Sequence, residues 1–198
     1  MNIYKYLKRQ LRRLKIDLTT QGKFLAGQIP SIDSDNLIKT VSSNYEELQI
    51  VFFERYQIKP DDVIYDVGCG KARVFSYLLY KGVKNKMIGY EINPVVGKET
   101  KKRLAKYKNV EIRLDNIFDD FPTTGNVFYL YNPFKEEMVK EFTKRILALK
   151  HLNPVIFYNN PVHLHIFDQD TFDIQFEEIA VKEFNYTFPF ALIRIKQK

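Results

Sequence analysis

Short apolar runs alternate along this chain with segments whose apolar residues return every three or four positions. Ile3, Leu7, Leu11, Leu14 and Leu18 have that helical spacing and predict a helix with a single apolar stripe. The expected arrangement packs the stripe on the main body and leaves the charges in water. Gly22, Gly27, Pro30 and the polar run 31–36 predict a linker or lid. Residues 44–57 return to helical spacing, with Leu48, Val51, Phe52 and Tyr56 on one face and Pro60 beyond the end. A strand over 63–67 is closed by Gly68. A helix over 71–81 follows, turning Val74, Phe75, Leu78 and Leu79 inward and stopped by Gly82.

The alternation continues. Residues 87–90 predict a second strand. Asn93 and Pro94 predict a helix start, with Asn as cap and Pro at the first position. Residues 110–114, 127–131 and 155–158 predict three more strands. A helix over 135–149 turns Met138, Phe142, Ile146 and Leu149 inward. The tail has strand-like runs over 174–181 and 184–195 with no long helix between them, which predicts an antiparallel pair. Strands alternating with helices predict a parallel sheet covered on both faces. The expected division is a basic helix and linker over 1–43 and one domain over 44–198.

Composition adds three things. With 198 residues and 45% hydrophobic content, one well-packed domain is expected. The single cysteine, Cys69, excludes an internal disulfide and predicts a reducing compartment. No apolar run approaches the roughly 18 residues of a spanning helix, and the polar start does not resemble a signal peptide. A cytoplasmic location is therefore expected. The net charge of +7 is concentrated. Residues 1–23 carry Lys5, Lys8, Arg9, Arg12, Arg13, Lys15 and Lys23 against Asp17 alone. A basic helix of this kind over 3–18 could dock on an anionic partner, whether nucleic acid, a lipid surface or an acidic protein face.

The chemistry centres on Asp66, Gly68 and Gly70, between the first strand of the sheet and the next helix. Glycines let the backbone turn sharply and let a ligand come close. The pattern D-x-G-x-G-x-A differs from G-x-G-x-x-G, and no G-x-x-x-x-G-K-[ST] loop occurs. An acid ahead of the turn repels phosphate and suits a ligand carrying a positive group or hydroxyls. Glu91 closes the second strand, where an acid can accept both ribose hydroxyls of an adenosine. Asp115 stands just past the third strand, within reach of an adenine edge.

These residues resemble the class I S-adenosylmethionine-dependent methyltransferases, over about residues 44–160. The resemblance implies an α/β, Rossmann-like fold: a seven-stranded, mostly parallel sheet of order 3-2-1-4-5-7-6, with strand 7 antiparallel and helices on both faces. It implies S-adenosyl-L-methionine as cofactor. The methionine part would lie against Asp66, Gly68 and Gly70, the ribose on Glu91 and the adenine near Asp115. The full cofactor-binding set expected is Asp66, Gly68, Cys69, Gly70, Arg73, Glu91, Ile92, Asp115, Asn116 and Asn132. Ala72 stands where a third glycine is usual.

The fourth strand ends in Tyr131-Asn132-Pro133-Phe134. This is similar to the family's Asn-Pro-Pro-Tyr signature for methylating planar amino groups, shortened by one Pro and with Phe for Tyr. It is also similar to the Asn-Pro-Phe of small bacterial methyltransferases. The resemblance implies a nitrogen acceptor on a protein side chain or nucleic acid, with Asn132 and Tyr131 as catalytic candidates and the 159–161 turn nearby. The structural reading of the same residues is a helix cap at Asn132 with Pro133 at the first helical position. His163 and His165 lack a third ligand and the H-E-x-x-H spacing, so no metal is expected. Two rival functions remain at this point: a nicotinamide-dependent oxidoreductase, and a methyltransferase-like binding or scaffold module.

Overall fold

The structure, a computed structural model, describes residues 3–25 and 43–197. The predicted linker residues Gly27, Pro30 and 31–36 lie outside them. The elements, in order, are helix α1 (Ile3–Gln21), α2 (Tyr45–Gln49) running on into a π-helical turn (Ile50–Tyr56), β1 (Ile64–Val67), α3 (Arg73–Tyr80), β2 (Met87–Tyr90), α4 (Pro94–Leu104), β3 (Val110–Arg113), β4 (Val127–Tyr131), α5 (Glu136–Ala148), β5 (Val155–Asn159), β6 (Phe172–Val181) and β7 (Tyr186–Ile195). The strands form one sheet of order β3-β2-β1-β4-β5-β7-β6. β1 to β5 pair in parallel, and β7 runs antiparallel to both β5 and β6. The expected fold class is the observed one. Among the described residues, no helix is long and apolar enough to cross a membrane.

Side chains alternate along each strand, so the sheet has two separate cores. On one face, Ile64, Met87, Val127, Tyr129, Val155 and Phe157 pack under α2, the π-turn and α3. On the other, Tyr65, Ile88, Tyr90, Phe128, Leu130 and Tyr158 pack under α5. Rings stack through the second core, with Tyr65 and Phe128 at 5.0 Å between centroids. β1, β2, β4 and β5 are buried on both faces, which is why they read as apolar runs, interrupted only by Asp66 in β1 and ended by Asn159 in β5.

Two local expectations fail. The Leu stripe of α1 does not pack on the body. Ile3, Leu7, Leu11 and Leu18 are exposed, while Ile16, Asp17, Thr20 and Gln21 are buried. The body-facing side is polar because its partners are polar. Arg9 pairs with buried Glu46 at 3.3 Å and lies over the rings of Phe184 and Tyr186. Arg13 donates to Asn44 Oδ1, and Gln21 Nε2 donates to the Lys71 carbonyl and Ser76 Oγ, each at 2.7 Å. The second failure is the cap at Asn132. Helix α5 starts at Glu136 with Lys135 as its flanking residue. Asn132 instead takes the left-handed conformation at φ 40°. The cap at Asn93 is as expected: its Oδ1 accepts from the N–H groups of Val95 and Val96.

Candidate functional site

The turn after β1 is made of left-handed residues. Gly68, Gly70 and Ala72 have φ of 74°, 53° and 54°. A Cβ on Gly68 would meet Pro133 Cβ at 3.3 Å, so the glycine also lets the end of β4 come close. The turn is pinned from below. Gly70 N–H donates to Glu91 Oε2 at 2.8 Å, and Thr100 Oγ1 donates to the Gly70 carbonyl at 2.9 Å. Glu91 Oε1 accepts from Asn93 N–H at 2.7 Å. The acid closing β2 therefore holds both the glycine turn and the start of α4.

A small, partly open cleft lies over this turn, lined by Ser43, Asp66, Gly68, Cys69, Gly70, Lys71, Arg73, Val74, Tyr129 and Tyr131. Strand register sets its floor. Asp66 lies beside Tyr129, and Tyr131 beside Asn159, so these four share one face of the sheet. Tyr129 OH is bonded to Ser43 Oγ at 2.7 Å and accepts from Asn159 Nδ2 at 3.2 Å. The same Nδ2 donates to Glu47 Oε2 at 3.1 Å. That carboxylate fixes the amide's orientation, since the opposite one would set two acceptors against each other. Asn159 Oδ1 is left buried without a partner.

The electrostatics of the cleft are unusual. Asp66 is fully buried, and desolvation followed by the charge of Glu91 pushes its carboxyl up to about 8. Burial also raises Glu91, against the lowering pull of the Asn93, Gly70 and Ile92 backbone groups. Burial pushes the Cys69 thiol well above its ordinary value, which keeps it a protonated filler rather than a nucleophile. Tyr131 is pushed up to about 12, first by burial and then by Glu47. Arg73, nearly buried, faces Asp17 Oδ2 at 3.7 Å, and its Nε has no partner.

The sequence-predicted residues separate by place. Asp66, Gly68, Cys69, Gly70, Arg73 and Tyr131 line the cleft. Glu91 sits directly behind it on Gly70. Ile92 and Asp115 are exposed beyond the ends of β2 and β3. Asn116 turns its Oδ1 back to Phe118 N–H at 3.1 Å. Asn132 is buried at the end of β4, its Oδ1 accepting from Tyr158 OH at 3.3 Å. His163 and His165 stand 6.2 Å apart by ring centroid at a short 3-10 turn. Sequence reasoning missed Ser43, Glu47 and Asp17. Only the acids' place inside apolar helical patterns hinted at the last two.

No family model matches the chain. A stretch of 101 residues is 38% identical to the ribosomal RNA small subunit methyltransferase A of Thermotoga neapolitana, covering 47% of this chain and 38% of that protein. The protein of the same name from Thermotoga maritima is 27% identical over 104 residues, covering 47% and 35%. The matched regions thus span well under half the length of these relatives. Among solved structures, the RNA methyltransferase from Salinibacter ruber, in complex with S-adenosyl-L-homocysteine, aligns at TM-score 0.56 and 16% identity over 81% of this chain and 95% of its own. A protein of the NADB-Rossmann superfamily from Streptococcus agalactiae aligns at 0.58 and 14%, over 80% and 70%. With the sheet order, these likenesses establish the class I methyltransferase fold.

Proposed function

We propose that the chain is an S-adenosylmethionine-dependent methyltransferase acting on a nitrogen of nucleic acid. The observation that carries the reading is the buried Asp66 carboxyl beside a glycine turn held by Glu91. A pyrophosphate would meet two acids there, whereas a cationic nucleoside fits. The residues present suit the cofactor: Asp66 for its ammonium, the unpartnered Arg73 Nε for its carboxylate, the remaining lone pairs of Glu91 for the ribose. Ile92, Asp115 and Asn116 would border the adenine, and Cys69 fills the turn beneath. When bound, the sulfonium supplies the activated methyl group.

The chain's own task is then to align an acceptor nitrogen and exclude water. The ends of β4 and β5 supply the means. Tyr131 offers a ring face, Asn132 and the Pro133 carbonyl offer acceptors, and Asn159 Oδ1 is a buried acceptor awaiting a donor. A planar amino group has two N–H donors to meet such oxygens. The names of the curated relatives, which act on ribosomal RNA, support nucleic acid over a protein side chain.

In the same reading, residues 1–43 form an extension on a methyltransferase domain over 44–198, and the basic flank of α1 takes an anionic partner. Exposed Lys5 and Lys15 support this. The deciding experiment has two arms. Calorimetry with S-adenosylmethionine and with NAD separates methyltransferase from oxidoreductase. Tritiated-methyl transfer into fractionated RNA, DNA, protein and small molecules then identifies the acceptor. Cofactor binding without label in any fraction overturns the catalytic reading in favour of a scaffold.

A further inference from the structure

Helix α1 is inside out. Its polar side is spent on the body, through Arg9, Arg13, Asp17 and Gln21. Its apolar side faces away, with Ile3 70%, Leu7 52%, Leu11 66% and Leu18 47% exposed. An amphipathic helix ordinarily does the reverse, because burying the apolar stripe is what stabilises it. Leu7, Leu11, Leu14 and Leu18 form a continuous outward ridge at helical spacing. Isolated surface leucines need no explanation, but a contiguous apolar ridge marks an interaction site.

Charge chooses the occupant. By helical position, Lys5, Lys8, Arg12 and Lys15 all fall along one flank of the ridge; Lys8 is paired with Glu183 at 2.7 Å, while Lys5 and Lys15 are exposed. Residues 3–16 contain no acid, and the one acid of the helix, Asp17, is buried against the body. Pairing with a second copy would set basic flank against basic flank. A nucleic acid would neutralise the lysines and leave the leucines in water. A surface that is anionic outside and apolar just beneath satisfies both. We propose that the outer face of α1 docks on an anionic lipid bilayer, with the ridge sunk into the headgroup boundary and the lysine flank on the lipid charges. The proposal deepens the anionic-partner reading of the flank and is independent of methyl transfer. The ridge lies on the opposite side of α1 from the body, so docking leaves the cleft untouched.

The test is co-sedimentation of the full chain with two vesicle types, phosphatidylcholine alone and an equimolar mixture with phosphatidylglycerol. Binding is expected to the mixed vesicles and not to phosphatidylcholine. Leu11→Gln with Leu18→Gln should weaken it about tenfold or more. Lys5→Glu with Lys15→Glu should do the same, as should raising salt to about 0.5 M. All four side chains are exposed, so unchanged circular dichroism and cofactor affinity are expected in both variants and report folding separately. Three results would overturn the proposal. One is no binding to either vesicle by the wild-type chain. Another is a dimer in analytical ultracentrifugation that the leucine variant dissolves while vesicles are ignored. The last is retention of an oligoribonucleotide that needs the lysines but not the leucines, again without vesicle binding.

Discussion

Arg73 Nη2 stands 3.7 Å from Asp17 Oδ2, and this contact joins the first helix to the helix that opens over the glycine turn. Asp17 is fully buried. It also accepts from Tyr45 OH and from Leu25 N–H. The Tyr45 ring lies under the Arg73 guanidinium at 5.0 Å. One carboxylate thus holds an arginine, a tyrosine and the chain leaving α1. The same arginine presents its unpartnered Nε beside the cleft.

Removing that carboxylate leaves a nearly buried cation without its counter-charge. Asp17→Asn is expected to lower unfolding free energy by about 3 kcal/mol, the scale for breaking a buried ion pair from one side. Urea denaturation followed by circular dichroism measures it. An effect within 0.5 kcal/mol, the ordinary range of a surface substitution, would show that water already screens the pair.

Ala72 occupies the position where the family resemblance has glycine, and its φ of 54° explains the preference. A left-handed conformation costs a residue with a Cβ roughly 1–2 kcal/mol. Part of that is returned on substitution, because glycine leaves a more disordered unfolded chain. Ala72→Gly should therefore raise stability by up to about 1 kcal/mol. Ala72→Val, with a branched side chain at a fully buried site, should fold poorly. Thermal melts of the two variants beside wild type check both directions.

The strands were the most legible part of this chain. β2 and β4 fall at the expected residues because sheets buried on both faces demand unbroken apolar runs. The turn over 66–70 was legible because glycines between a strand and a helix mark a tight turn, whereas the bonds that Glu91 makes to the Gly70 and Asn93 N–H groups were not. The orientation of α1 was not legible. Its stripe predicts burial, and only tertiary partners reverse it: Glu46, Asn44, Ser76 and the Lys71 carbonyl reward the polar side. The π-helical turn at Ile50–Tyr56 was hidden too, since its apolar spacing fits an α-helix equally. Ser43 and Asn159 reach Tyr129 from opposite ends of the sequence, and no local pattern joins them.

The raised Asp66 carboxyl sets a pH dependence whose sign follows directly. Its folded value, about 8, lies above the ordinary carboxylate value of 3.8. Between these values the folded chain keeps a proton that the unfolded chain has released. Stability from this group is therefore full below about pH 4, falls as pH rises through the window, and levels off above about 8. Asp66→Asn should flatten that fall in a series of melts. Binding of a cationic cofactor favours the ionised carboxylate, so it should release a proton near pH 7. Calorimetry in buffers of different ionisation enthalpy detects that release, and it should vanish in Asp66→Asn.

Asn132 offers a way to separate folding from chemistry. Its φ of 40° suits glycine, and its Oδ1 accepts one bond, from Tyr158 OH at 3.3 Å. Asn132→Gly keeps the turn and loses that bond, a cost of about 1 kcal/mol. If the side chain orients the acceptor nitrogen, turnover should fall about a hundredfold while cofactor affinity stays the same. Asn132→Ala would confuse the two effects, because alanine is strained in this conformation. Single-turnover methyl transfer by Asn132→Gly, normalised to cofactor-bound protein, is the decisive measurement. Unchanged turnover would reduce Asn132 to a hinge after β4 and leave Tyr131 and Asn159 to position the acceptor.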